Sequence, residues 1–199
     1  EDKDGNLWIG TEGGGLNYYN RRTREFKWYR PQEGRNSISH NNVKALYYDA
    51  DKEIIWIGTH LGGLNKLDIR SGHFTHYRME EGNPNTLPSD IIRDIIPYKS
   101  LLIIATQNGV CLFDPANGQC QQLFKDSKEG KSIKMVADVT FDSEGTLWIA
   151  ATGEGVFSYR FNTCKLTNYR HDATNPNSLS NNNVNNITCL LYTSDAADD

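Results

Sequence analysis

The feature that most constrains this 199-residue chain is a motif met four times along it. "GNLWIGTEGGGLNYYN" begins at Gly5, "EIIWIGTHLGGLNKLD" at Glu53, "SLLIIATQNGVCLFD" at Ser100 and "GTLWIAATGEGVFSYR" at Gly145. With Trp8, Trp56, Ile103 and Trp148 taken as one position, successive copies lie 48, 47 and 45 residues apart. A repeat of that length is one supersecondary unit that cannot bury its own faces and gains stability by stacking on its neighbours.

Each period resolves into four short alternating segments separated by turn residues. In the second repeat these are "NVKALYYD", "IIWIGTH", "GLNKLDI" and "HFTHYRM", with turns at "ADKE" and "RSG" and a polar linker "EEGNPNTLPSD". No helical stretch competes. The pattern predicts an all-β chain: a β-propeller fragment of about four four-stranded antiparallel blades forming an open arc of a larger ring. The blades fall at 1–30 (partial), 43–79, 91–126 and 136–170, with a further one starting at 184–188. A strand sandwiched between two blades is apolar on both faces, so Trp8, Trp56 and Trp148 are expected in the inter-blade core. Gly10 and Gly58, replaced by Ala105 and Ala150, mark a position with little room. Gly14, Gly15, Gly62, Gly63, Gly109 and Gly155 mark the turn into the third strand, where positive φ or close backbone approach is expected.

Both ends depart from the repeat. The chain opens at Glu1 without an initiator Met, so a true start upstream is expected. Residues 189–199, "CLLYTSDAADD", interrupt a repeat as its next strand begins, and their reverse translation spells a transposase adapter in frame. They read as a sequencing-adapter artefact, leaving 1–188 as propeller. Asp195, Asp198 and Asp199 lie in that tail, so the repeats carry nearly balanced charge and no nucleic-acid footprint. The cysteines outside the tail, Cys111, Cys120 and Cys164, are an odd, sparse set without CxxC spacing, which argues against a zinc site or a disulfide framework. The longest apolar run, near Leu101, is far too short to span a bilayer.

The consensus "LS.NNV..I..D..G.LWIGT..GGL...D...G.F..Y", which appears as "SISHNNVKALYYDADKEIIWIGTHLGGLNKLDIRSGHFTHYR" from Ser37 to Arg78, strongly resembles the two-component regulator propeller repeat. The resemblance runs through residues 1–188. The third copy departs from it at Ile103 and Asp90, and the fourth at Ala150. It implies a periplasmic sensor region of a Bacteroidetes-type hybrid two-component histidine kinase, a homodimer in the full-length parent, with the kinase outside this fragment. It also implies a role in sensing oligosaccharides released from polysaccharides.

Ligands of propellers usually bind at one channel mouth, between the blade linkers and the loops joining second and third strands. Here these supply His40, Asn41, Asn42, Ser89, Asp90, Asn181, Asn182 and Asn183, together with Glu12, His60, Gln107 and Glu154. Amide, imidazole and carboxylate groups match the donors and acceptors of sugar hydroxyls, so His40, His60, Asp90, Gln107, Glu154 and Asn182 are the candidate ligand-binding residues. Asn and Ser at linkers also cap turns, which is the structural alternative.

"DKDGN" from Asp2 resembles a calcium loop but lacks the bidentate downstream Glu, and "DSEGTLW" resembles the Asp-box turn of sialidase propellers. His73 and His76 point to opposite faces of a strand, a poor metal pair. No catalytic constellation, metal or cofactor is indicated. Three functions compete: a ligand-sensing module, a propeller-type lyase or glycosidase built on Glu12, Asp90 or Glu154, and a protein-interaction scaffold using Trp28 and Tyr18.

Overall fold

In the computed structural model, which describes residues 1–127 and 129–189, fifteen strands form four separate antiparallel sheets. Residues 190–199, most of the adapter-like tail, lie outside the described residues. The first sheet has three strands, β1 (Leu7–Thr11), β2 (Gly15–Asn20) and β3 (Glu25–Tyr29). The second runs β4 (Val43–Asp49), β5 (Ile54–Thr59), β6 (Leu64–Asp68) and β7 (His73–Tyr77). The third runs β8 (Ile92–Tyr98), β9 (Leu101–Thr106), β10 (Gly109–Phe113) and β11 (Cys120–Gln122). The fourth runs β12 (Val136–Phe141), β13 (Leu147–Ala151), β14 (Gly155–Arg160) and β15 (Lys165–Tyr169). Strands pair in sequence order within every sheet, as in propeller blades, and the sheets do not close into a ring. One 3-10 turn, Gly130–Ser132, lies between the third and fourth.

The cores lie between sheets, and period-two alternation divides each second strand between two of them. Ile55 and Ile57 of β5 join the cluster against the first sheet, with Leu16, Val43 and Phe74. Ile54 and Trp56 join the cluster against the third, with Ile92, Ile104 and Phe113. In β9 likewise, Leu102 and Ile104 face the second sheet while Ile103 and Ala105 face the fourth, beside Ile149 and Phe157. This is why every residue of β5 is buried, whereas β1, with the same Trp-Ile-Gly-Thr sequence, contains no buried residue.

Trp56 is 1% exposed and meets Phe113 edge-on at 5.3 Å between ring centroids. Trp8 is half-buried against the second sheet beside Tyr29. Trp148, also half-buried, faces away from the third sheet, because its neighbours Leu147 and Ile149 occupy that side. Its indole Nε1 donates to Asp142 Oδ2 at 2.8 Å.

Two glycines show why the motif resists side chains. A Cβ on Gly58 would lie 2.5 Å from Ile92 Cγ2 across the seam to the third sheet. Gly63 has φ +68°, and its Cβ would sit 2.3 Å from the carbonyl oxygen of Tyr77. Gly15, Gly109 and Gly155 share the positive φ, whereas Gly14 and Gly62 do not. The fourth strand of the third blade is shorter than the repeat predicts, ending at Gln122. Residues 184–188 form no ladder, although Ile187 N donates to Asp138 Oδ2.

Candidate channel-mouth site

Each second strand ends on the same side of its sheet as the linker that enters the next blade, so linkers and second-to-third-strand turns share one face. They are bonded in register. Gly15 N donates to Asn41 O at 2.7 Å, Gly63 N to Asp90 O at 2.9 Å and Gly155 N to Asn182 O at 3.0 Å. Asn41, Asp90 and Asn182 are therefore one position in three linkers.

Several of the predicted ligand residues spend their polar atoms here. Asp90 Oδ1 accepts the N–H of Met79 at 2.8 Å, and Oδ2 pairs with Arg78 at 3.2 Å. Asn182 Oδ1 accepts the N–H of His171 at 2.7 Å, the same exit from a fourth strand. In the first blade Pro31 has no N–H to offer Asn41. His40 Nδ1, Ser89 Oγ and Asn181 Oδ1 each accept the N–H two residues on, at 3.1, 3.1 and 2.8 Å. Three different side chains thus close the same local turn.

A ring of residues immediately beyond the second strands remains: Glu12, His60, Gln107 and Thr152. His60 N donates to Asn42 O at 2.9 Å, Gln107 N to Ile91 O at 3.0 Å and Thr152 N to Met135 O at 3.1 Å. These three ring residues are thereby tied to the entrance of their own innermost strands, and Glu12 belongs to the three-stranded first sheet. Glu154 lies two residues further along the turn, level with Gly14 and Gly62, and its carboxylate is paired with Arg170. Register therefore puts Thr152, not Glu154, in the ring.

The innermost strands add two side chains that sequence reasoning missed. Pairing with the second strand skips Lys44, Arg93 and Ala137 in successive blades. A bulge of this kind resets the alternation: Val43 packs against the first sheet and Ala45, two residues later, against the third. Lys44 is left between the two faces, at the inner edge. Its Nζ lies 3.5 Å from Glu12 Oε2, and Asn42 Nδ2 donates to Glu12 Oε1 at 3.5 Å. His60 Nδ1 and Asn42 Oδ1 are buried with no hydrogen-bond partner among the described residues. Unpaired buried polar atoms carry a desolvation cost that a ligand or water offsets.

Below the bulges the inner wall carries a carboxylate pair. Asp94 Oδ1 accepts from Ile95 N at 2.8 Å and Oδ2 from Val139 N at 3.3 Å. Asp138 Oδ1 accepts from Val139 N at 3.1 Å and Oδ2 from Ile187 N at 2.8 Å. Burial, and then the neighbouring Asp138, push the Asp94 carboxyl up to about 6. With all four oxygens accepting backbone amides, the pair joins blades. The signal was an aspartate at one register of two otherwise largely apolar strands, "IRDIIPY" and "VADVTF".

The other motifs are turns. Asp2 Oδ1 accepts from the N–H of Asp4 and Asn6, and Asp142 Oδ1 from those of Glu144 and Thr146. Among the described residues no three His, Cys, Asp or Glu side chains gather as metal ligands. No helix there is long and apolar enough to cross a membrane. Trp28 and Phe26, 63% and 56% exposed, share the face of β3 opposite Tyr29.

Sequentially paired sheets with inter-sheet cores define the chain as an open arc of a β-propeller. Residues 1–13 and 37–60 match the model of the two component regulator propeller family. Among solved structures it is similar to the extracellular domain of BT3049 of B. thetaiotaomicron, assigned as a hybrid two component system. That likeness has a TM-score of 0.76 at 24% identity over 86% of this chain. The extracellular domain of BT4673 from the same organism, assigned likewise, gives 0.72 at 21% identity over 92% of this chain. The chain spans about a quarter of each, 24% and 23%. No curated protein matches it.

Proposed function

We propose that the chain is part of the periplasmic sensor region of a hybrid two-component histidine kinase, where its channel mouth contributes to binding an oligosaccharide released from a polysaccharide. The observation that carries this reading is the ring position. His60, with its buried unpartnered Nδ1, stands beside Asn42, Lys44 and Glu12, and the next blade offers Gln107 and Arg93 at the same register. Donors and acceptors of both kinds, with cations at the inner edge, suit a hydroxyl-rich ligand. The extracellular propellers of similar fold support the location. Ligand binding would bias two arrangements of a homodimeric parent by no more than its differential affinity for them, and the kinase outside this chain would read that bias.

The test is calorimetric titration of the complete extracytoplasmic region with a panel of plant and host oligosaccharides. Saturable binding to one glycan class, weakened by His60→Ala, is expected. Binding unaffected by changes at His60, Gln107 and Arg93 places the ligand elsewhere on the parent and defeats the reading.

A further inference from the structure

We propose that Cys111 and Cys120 form a disulfide that staples the outermost strand of the third blade to its neighbour. The two thiols lie on adjacent strands, β10 and β11, with Sγ atoms 3.5 Å apart. Cys111 pairs across the ladder with Gln122 and Cys120 with Phe113, so the cysteines are diagonal neighbours on one face of the sheet. Both belong to the core between the second and third sheets, where Cys111 is 0% and Cys120 4% exposed. The Sγ atoms already meet at 3.5 Å, and because diagonal Cα atoms stand about 7–8 Å apart, at the upper limit of what a disulfide spans, closing the bond draws β11 toward β10 as well as turning the two side chains.

The pair is particular to this blade. The positions equivalent to Cys111 hold Asn17, Asn65 and Phe157, and those equivalent to Cys120 hold Phe26, Phe74 and Leu166. Both cysteines thus appear together in the one blade whose fourth strand is three residues long. A strand held by so short a ladder gains most from a covalent tie. Counting cysteines in the sequence argued against a disulfide; the strand register brings two of the three together.

In the reaction two S–H bonds break and one Sγ–Sγ bond forms. The two electrons and two protons pass to a disulfide donor, a low-molecular-weight disulfide or a disulfide oxidoreductase of an oxidising compartment, which leaves as two thiols. In the folded chain the neighbouring Cys120, and then burial, push the Cys111 thiol well up, so the buried pair is a poor nucleophile. The exchange therefore belongs to the stage of folding before the second and third sheets close on each other. Cys164 on the fourth blade is exposed and serves as an internal control.

The chain is exported to the oxidising periplasm of a bacterial host, its free thiols are alkylated during denaturation, and it is cleaved before aspartates. The expected product is Asp94–Phe113 linked to Asp114–Lys125, lighter by about 2 Da than the sum of the two thiol peptides and separating on reduction. Cys164 is alkylated in the same sample. The same chain from a reducing cytosol, carried through oxidised glutathione during refolding, gives the linked product again. Two separately alkylated peptides from both preparations, or Cys120 linked to Cys164, overturn the proposal.

Discussion

Asp94 and Asp138 occupy the same register of neighbouring innermost strands, and each reaches forward to a backbone N–H of the next blade. Asp94 Oδ2 takes Val139 at 3.3 Å and Asp138 Oδ2 takes Ile187 at 2.8 Å. Two carboxylates thereby form consecutive rungs around the inner wall. Burial, and then the neighbouring Asp138, push the Asp94 carboxyl up to about 6.

The sign of the resulting pH dependence is opposite to ordinary acid denaturation. A carboxyl whose folded pKa is raised, here from 3.8 to about 6, contributes stability fully present below pH 3.8 and lost as pH rises through 6. Asp2, Asp49, Asp142 and Asp172 are lowered and run the other way, so the comparison must be a difference between variants. Asp94→Asn keeps an acceptor for Ile95 N and places a donor toward Asp138, while giving up the Oδ2 acceptor of Val139 N, a loss that is the same at every pH. Relative to wild type it is expected to gain stability between pH 4 and pH 8, by at most about 3 kcal/mol. Urea unfolding at the two pH values reads the change, and parallel pH profiles for the two proteins would refute it.

The strands and their alternation were legible because both faces of each blade meet another blade, so one apolar pattern recurs at each copy. Trp56 followed from that alone. The inner wall did not, because a bulge at Lys44, Arg93 and Ala137 turns Val43 and Ala45 to opposite faces, where strict alternation puts them on one. The mouth was half legible. Loop membership could be read from turn residues, but the occupancy of Asp90 by Met79 and Arg78, and of Asn182 by His171, depends on where the previous strand ends. The same need for register separates Thr152 from Glu154 and hid the Cys111–Cys120 pair.

The three tryptophans should not be equal. Trp56 is enclosed by two sheets, so Trp56→Ala is expected to cost about 3–5 kcal/mol. Trp148 keeps one side open and is anchored to Asp142, so Trp148→Ala should cost less in this chain. In a parent where a following blade covers that face, the two costs should converge. Denaturant midpoints of both variants in both contexts decide it, and a larger loss at Trp148 in the short chain would contradict the inter-blade role.

Two glycines of nearly equal φ separate backbone strain from crowding. Gly72 has φ +71° with nothing within 4 Å of a Cβ, and Gly63 has φ +68° with Tyr77 O at 2.3 Å. Gly72→Ala is expected to cost about 1–2 kcal/mol, the left-handed penalty alone. Gly63→Ala should cost distinctly more, because the Tyr77 carbonyl belongs to the fourth strand and cannot yield without breaking ladder bonds. Equal losses would mean that the close approach relaxes freely.

The linker and ring residues should divide stability from binding. Asp90→Ala removes an acceptor for Met79 N and a partner for Arg78, so it should destabilise by about 1–3 kcal/mol while leaving affinity for a bound glycan within a few-fold. His60→Ala removes no protein hydrogen bond of the imidazole among the described residues, so its midpoint should move little. If the ring holds the ligand, its dissociation constant should rise by roughly ten-fold, the loss of one or two hydrogen bonds. Calorimetric titration beside thermal unfolding measures both quantities on each variant. The reverse outcome, lost binding at Asp90 with unchanged stability and no effect at His60, would move the site from the strand ends to the linkers.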